Sequence, residues 1–379
     1  MAKKQSDKTL ATGIWNGVAI RYFLLILLGL VGLGLSLGSF QFVRNLEQTE
    51  SRHELDERVH DYVNSIEQSL VVHLESLHSI AGLFNTTVGV DREEFHRFTD
   101  NILERLSNVQ ALEWIPRVPA AERRDYERIA RVEGLSGFRI REKGPGGDMV
   151  PAGKRDEYFP VYYVAPLKGN ERALGFDLAS DPVRRAALEK ARDTGEMVVT
   201  GRIRLVQETG ESYAFLAFRP VYETNYPHNT VDNRRRHLSG FALGVFRVAD
   251  IVETTLAKRS RPSGVDIYIL DESAPADGRL LYFHPSHLRD GQASPGPTGR
   301  ILNGYHAAGA MQVADRQWTV VSKPLPGYFI GNTTWMPLMT LLGGLVVTGL
   351  LAAYRAVELA HDVYHLGSGV NYDTYRVAV

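Results

Sequence analysis

Cysteine is absent from this chain of 379 residues. That absence excludes a disulfide scaffold, a Cys-ligated zinc or iron–sulfur centre, and any thiol nucleophile. A surplus of one charge sign is also missing: 43 Lys+Arg stand against 44 Asp+Glu, for a net charge of -1. A dedicated nucleic-acid binder would show a basic excess, so no nucleic-acid partner is expected. There is no His-Glu-x-x-His and no phosphate-binding Walker loop. The turn Gly144-Pro145-Gly146-Gly147-Asp148 lacks the spacing and the Lys-Ser/Thr ending of such a loop. In His284-Pro285-Ser286-His287 the proline breaks a helix and no carboxylate stands at a favourable spacing, which favours loop histidines over metal ligands. His53, His60, His73 and His78 do not share one helix face at repeated i, i+4 spacing and read as solvated or packing residues. No acid, base and nucleophile are brought together, so neither an enzyme nor a cofactor is expected in this chain.

What is present is concentrated apolar sequence near both ends. Residues 22–43 carry no charge, and as a helix they would reach about 33 Å, enough to cross a bilayer core. A second charge-free run has its apolar part at 335–354, with Trp335 and Tyr354 at the ends where amphipathic rings favour the interface. The first run is too long for a secretory leader, and no small-residue cleavage site precedes Arg44, so it reads as an uncleaved anchor. Lys3, Lys4, Lys8 and Arg21, opposed only by Asp7, place residues 1–21 in the cytoplasm by the positive-inside rule. Two spans then export the intervening region and return residues 355–379 to the cytoplasm. Gly34 and Gly38 form a small-xxx-small pair through which two copies could approach.

Residues 44–84 read as a long helix whose Val59, Val63, Ile66, Leu70, Leu74, Leu77 and Ile80 form one stripe. That stripe either packs on the helix's own domain or forms a stalk paired with a second chain, and a homodimer is expected. Asp91 can cap a helix bearing Phe95, Phe98, Ile102 and Leu106. Beyond it, strands are expected near 111–115, 138–141, 158–165, 173–178, 198–200, 203–206, 213–222, 241–246, 265–270, 280–283 and 317–322. Helices are expected over 120–132, 182–193 and 248–258, and a polar loop over 223–238. Helices alternating with clusters of short strands describe an α+β fold with two sheet units, occupying residues 85–330.

The ordered series Phe95-x-x-Phe98, Ala111-Leu112-x-Trp114-x-Pro116-x-Val118, Arg123-x-x-Tyr126, Glu157-Tyr158-Phe159-Pro160-Val161 and Gly175-Phe176-Asp177-Leu178 resembles the CHASE domain. The similarity continues through Ala191-Arg192-x-x-Gly195 and Val199-Thr200, and covers roughly residues 75–270. CHASE domains are extracytoplasmic sensor modules of cytokinin-receptor-like histidine kinases and of bacterial histidine kinases and diguanylate cyclases. The resemblance implies a long N-terminal helix carrying two PAS-like α/β units between two membrane spans. The membrane-distal unit would hold a small ligand, and a segment from about 280 to 322 would complete the proximal one. It also implies that Asp177 matches a ligand-contacting aspartate and Val199 an apolar contact.

The residues themselves leave two readings of each position. Asp177 is either a turn or cap acid before Ser180-Asp181-Pro182, or an acceptor in a concave site. Arg202 and Arg204 alternate with Ile203 and Leu205, which makes a solvated face or a pair of guanidinium forks for an anionic ligand. The candidate ligand contacts are therefore Asp177, Val199, Thr200, Arg202, Arg204, Tyr158 and Phe176. The expected function is a two-pass inner-membrane receptor input module, its central domain periplasmic, that signals to a cytoplasmic output in a longer chain or a partner. A membrane-anchored structural or adaptor protein is the alternative.

Overall fold

The computed structural model describes residues 2–87, 89–106, 108–205, 213–258, 264–289, 294–296, 298–326, 328 and 334–375. The chain divides into two compact units, Met1–Glu54 with Gly327–Val379, and Leu55–Pro326. Helix α1 covers Ala2–Thr86 and contributes to both.

In the first unit α1 is joined by the last helix, Met336–Tyr375, which contains the second expected span. Both helices hold a stretch long and apolar enough to cross a membrane. Their contact uses small residues reciprocally. A Cβ on Gly344 would lie 2.4 Å from Ser36 Oγ, and a Cβ on Gly32 2.4 Å from Thr348 Oγ1. The two hydroxyls donate back along their own helices, Ser36 to the Gly32 carbonyl and Thr348 to the Gly344 carbonyl, both at 2.8 Å. Each glycine thus faces a side chain whose polar atom is already satisfied. Gly34 and Gly38 lie off this seam, with nothing within 4 Å of a built Cβ. The side chains of Lys3, Lys4, Asp7 and Lys8 lie outside the described residues.

The second unit contains helices α2 (Arg92–Arg105), α3 (Arg123–Val132), α4 (Pro182–Thr194), α5 (Val231–Arg236), α6 (Val248–Ala257) and α7 (Thr298–Ile301); the terminal helix is α8. Asp91 caps α2 as expected, its Oδ1 accepting from the Glu94 amide at 2.8 Å. Asp181 caps α4 through the Val183 and Arg184 amides, Pro182 opens its first turn, and Gly195 ends it at φ 79.

Two sheets follow. The first joins β1 (Ala111–Pro116), β6 (Tyr163–Ala165), β7 (Val198–Val199), β8 (Ala214–Tyr222) and β9 (Leu238–Arg247) in the order β6-β1-β9-β8-β7. The second joins β10 (Val265–Asp271), β11 (Leu280–His284), β12 (Ala307–Val313) and β13 (Arg316–Pro324) in the order β11-β10-β13-β12. Two short ribbons pair β2 (Val118–Pro119) with β5 (Glu157–Tyr158), and β3 (Arg141–Lys143) with β4 (Met149–Pro151). The described residues thus form the expected mixed fold with a long N-terminal helix.

Several local expectations are corrected. Residues 173–178 are not a strand: 3-10 turns at Glu171–Ala173 and Leu178–Ser180 flank Gly175, whose φ of +76 turns the chain. A Cβ there would meet the Arg139 carbonyl at 2.3 Å. Only Arg141 of the 138–141 run lies in a strand, and Ile203 forms a lone bridge to Ala214; Val206 is outside the described residues. The 223–238 segment contains α5, which donates from Arg234 Nε to the Asp193 carbonyl at 2.8 Å. Strand β12 went unforeseen because Ala307-Ala308-Gly309-Ala310 lacks the branched residues that mark strands.

The stripe on α1 packs on its own chain. Val59, Val63, Ile66, Leu70, Leu77 and Ile80 are buried and Leu74 is half-buried, so these side chains cannot be the seam of a two-chain stalk. Near its start the stripe meets the second sheet, where a Cβ on Gly309 would lie 2.7 Å from Val63. Near its end it meets the first sheet, where a Cβ on Gly244 would lie 3.2 Å from Leu77.

Two outcomes follow from this packing. In the full chain in membranes, single cysteines at Val63 and Ile66 should resist maleimide, while those at Val71 and Val72, both 50% exposed, should label rapidly. Gly344→Leu should destabilise the purified chain by about 1–3 kcal/mol through overpacking, read as a lower Tm in detergent. Gly349→Leu, at a glycine with nothing within 4 Å of a built Cβ, should leave Tm within experimental error of the parent.

Candidate ligand-binding site

The first sheet presents two faces because side chains alternate along each strand. Leu112 and Trp114 turn toward α1, where Phe84 stacks on Trp114 at 3.7 Å between ring centroids. Ala111 and Ile115 turn the other way, into a core with Phe241, Leu243, Phe218 and the α4 residues Ala187, Leu188 and Ala191. Above this second face, between the sheet, β5 and α4, lies a cavity of about 510 Å³. Phe159, Leu188 and Phe241 give it an apolar floor, and Arg155, Arg185 and Arg192 stand among its walls.

The three arginines differ in what holds them. Arg155 pairs with Glu142 and donates from Nη1 to Asp177 Oδ2 at 3.1 Å. Arg192 pairs with Asp193 at 2.9 Å and with Glu157 at 3.3 Å. Arg185 donates from Nε to the Ala179 carbonyl at 2.7 Å, and among the described residues no carboxylate pairs with it. One hydrogen bond fixes its guanidinium and leaves the two terminal nitrogens for an incoming acceptor.

Asp177 is fully buried and does not line the cavity. Its Oδ1 accepts from the Phe159 amide at 2.9 Å and the Ala179 amide at 3.3 Å, capping the turn Leu178–Ser180. Desolvation pushes its carboxyl above the usual range, opposed by the Phe159 amide, Arg155 and the Ala179 amide. Tyr158 donates to the Gly153 carbonyl at 2.9 Å and accepts from the Arg155 amide at 3.1 Å, which shapes the loop bearing Arg155. Phe176 lies buried beneath the Arg184 guanidinium, 5.4 Å from its ring centroid.

The other candidates stand elsewhere. Val199, Thr200 and Arg202 line a second cavity of about 630 Å³, shared with Asp315 and Arg316 of the second sheet's β12–β13 turn. The Val199 amide donates to Asp315 Oδ1 at 2.8 Å. Thr200 Oγ1 accepts from the Leu216 amide at 3.0 Å. Arg202 donates to the carbonyls of Leu280 and Asp277 and lies over Tyr213, while Arg204 is exposed. Asp177, Tyr158 and Phe176 therefore act around the first cavity, and Val199, Thr200 and Arg202 bridge the two sheets. Among the described residues no cluster of His, Asp and Glu could hold a metal ion.

The family profile described as CHASE domain matches residues 88–282, just over half of the chain. The chain belongs to the CHASE-domain family. CHASE domains are extracytoplasmic sensors that bind small ligands in receptors with cytoplasmic outputs, so the matched region is a sensor input module rather than a catalytic one. Two helices apolar enough to cross a membrane flank it. Among curated proteins the chain is similar to hybrid signal transduction histidine kinase A of Dictyostelium discoideum, 24% identical over 89% of this chain and 16% of that protein. It is also similar to the germination-specific adenylate cyclase of the same organism, 22% identical over 50% of this chain and 22% of that one. The chain thus spans less than a quarter of either relative. Among solved structures, the periplasmic sensory domain of the Campylobacter jejuni chemoreceptor Tlp1 aligns with 76% of this chain and 99% of its own. The TM-score is 0.47 at 12% identity. The extracellular domain of the histidine kinase mmHK1S-Z3 aligns with a TM-score of 0.40 at 12% identity, covering 74% of this chain and 94% of its own.

Sequence reading missed the CHASE domain's most unusual interior group. Glu113 falls between Ala111 and Ile115 on β1 and therefore faces the core beneath α4, 2% exposed. Burial raises its pKa to about 8, with Arg184 pulling it down. Arg184, 4% exposed, pairs with Asp181 at 3.0 Å and donates to the Arg204 carbonyl at 3.3 Å. Burial lowers its pKa, against Asp181 and Glu113. The available clues were a lone carboxylate in an apolar strand, and an arginine at i-3, i-4 and i-7 from Ala187, Leu188 and Ala191 on the apolar side of α4.

The sign of the linkage is definite. Because folding raises the Glu113 pKa, its stabilising contribution is full below about pH 4.5, declines as pH rises, and is lost above about pH 8. Glu113→Gln removes this slope. Between pH 5 and 9 the Tm difference, variant minus parent, should grow steadily in favour of the variant and then level off; a flat difference would contradict it.

Proposed function

We propose that this chain is the sensing part of a two-pass inner-membrane receptor whose small ligand enters the cavity between the first sheet and α4. The observation that carries this reading is the 510 Å³ cavity itself: an apolar floor on the central sheet, and a guanidinium, Arg185, held by one backbone carbonyl. Asp177 is a positioning residue in this scheme, because it orients Arg155 at the cavity wall and fixes the turn that supplies the Ala179 carbonyl. Each sheet with its covering helices corresponds to one PAS-like unit, the first binding ligand and the second relaying to the membrane. Residues 1–21 and 355–379 are cytoplasmic, residues 22–43 and 335–354 cross the membrane, and residues 44–84 and 85–330 form the periplasmic helix and sensor domain.

A ligand shifts such a receptor only by its differential affinity for two states, so it must touch elements that move. Helix α4 meets that condition, since it roofs the ligand cavity and carries Lys190, whose Nζ pairs with Asp315 of the second sheet at 2.7 Å. The output, a kinase or a cyclase, lies in a longer chain or a partner, and two copies associate through Gly34 and Gly38 rather than through the buried stripe on α1.

The test joins topology to binding. A periplasm-active reporter fused at Thr230 should be active and one at the C-terminus silent. In a metabolite screen by thermal shift on the full chain in detergent, a ligand at a hundred times its Kd should stabilise by about 2.7 kcal/mol. Arg185→Ala should weaken that ligand at least tenfold, while unchanged affinity would remove the cavity from the mechanism.

A further inference from the structure

The two apolar helices of the first unit keep one antiparallel register along their pairing. Thr334 Oγ1 donates to Glu47 Oε1 near one end, Gly344 meets Ser36 further along, and Thr348 meets Gly32 one turn beyond that. Extended by two and then three further turns, the same register sets Arg355 opposite Leu25 and Leu359 opposite Arg21. Arg21 is the last charge before the first apolar run, and Arg355 is the first charge after the second. Both therefore stand at the same end of the pair, about 6 Å apart in height.

Between them the helices leave a cavity of about 500 Å³. The two arginines are its cationic part, and Leu24, Leu25 and Leu28 carry it inward along the first span, with Leu359 across from them. Glu358 is the one carboxylate among its described lining residues, and it accepts from Arg355 Nη1 at 2.8 Å. That i, i+3 pair is exposed on both sides and so binds its partner weakly. Among the described residues Arg355 has no other partner. Two guanidinium groups thus face one carboxylate across a space whose remaining walls are apolar.

We propose that this cavity holds an acidic phospholipid, its phosphate between Arg21 and Arg355 and an acyl chain along Leu24, Leu25 and Leu28. This rests on the proposed topology, in which both helices cross the membrane and this end is cytoplasmic. Guanidinium forks match phosphate oxygens in pairs, and basic residues between spans on the cytoplasmic side attract anionic lipid. The leucines distinguish a lipid from a free anion, because a soluble phosphate has no apolar part to lay against them. The charge distinguishes an acidic lipid from a zwitterionic one, whose own ammonium would lie against the arginines. A phosphatidylglycerol headgroup adds hydroxyls that can donate to Glu358. The bound lipid clasps the two spans at the end from which a signal would leave, so membrane composition sets how firmly they are held together there.

The experiment titrates the full chain in neutral detergent with dioleoyl phosphatidylglycerol, dioleoyl phosphatidylcholine or inorganic phosphate, reading Tm against concentration. Phosphatidylglycerol should raise Tm saturably, while the other two at equal phosphate concentration should not. Arg21→Gln and Arg355→Gln should each weaken phosphatidylglycerol about fivefold, the equivalent of about 1 kcal/mol per basic residue. Arg44→Gln, an exposed cation at the other end of the first span, should leave its affinity unchanged. Equal stabilisation by both lipids, insensitive to the two substitutions, leaves the helices in the membrane and overturns the site. Stabilisation by inorganic phosphate alone overturns the lipid assignment in favour of a soluble anion. If neither lipid acts and the periplasmic reporter at Thr230 is also silent, the topology fails together with the proposal.

Discussion

A single helix face has to satisfy two sheets. The buried side chains of α1 from Val59 to Ile80 meet β12 near one end and β9 near the other, and each meeting is close enough that a glycine, Gly309 or Gly244, replaces a side chain. A sheet with one apolar face must bury it, and here both sheets bury theirs on the same rod. The remaining faces are thereby freed for different uses: the first sheet's for α4 and a cavity, the second's for the small cluster around Tyr268, Leu270 and Val321. Neither sheet can change its tilt against α1 without disturbing a contact that leaves no slack.

The interior of the first sheet unit is ionic to an unusual degree for a core. Glu113, Asp177 and Arg184 are all at least nine-tenths buried, and Arg155 is partly so. Asp177 is supplied with two amide donors and a guanidinium, and Arg184 with a carboxylate and a carbonyl. Such fully engaged groups fix geometry without being free to respond. Glu113 differs because burial dominates its electrostatics, raising its pKa against the pull of the Arg184 guanidinium.

Much of this was legible in the residues. The cap at Asp91, the helix over 182–193 and the apolar runs of β1, β8, β9, β10 and β13 all follow from local chemistry, as do both long apolar helices. The α1 stripe was visible too, but periodicity states only that a face is apolar and not what covers it. The region of the site was half legible: Asp177, Tyr158 and Phe176 do surround the cavity, yet they support it rather than line it. Val199 was grouped with them through the CHASE resemblance and Arg202 through its alternation with Ile203 and Leu205, whereas the structure turns them toward the second sheet. Alternation showed that Arg202 and Arg204 share a side. It could not show that the side is a junction, because the partner, the β12–β13 turn, lies more than a hundred residues onward.

That junction also closes an edge. Strand β7 is the last of its sheet and only two residues long, so its outer amides would otherwise be open to any passing strand. Asp315 occupies one of them with a carboxylate oxygen while Lys190 neutralises the other. A side chain thereby does the work of a strand that is not there. The first sheet is protected from adventitious pairing without being extended.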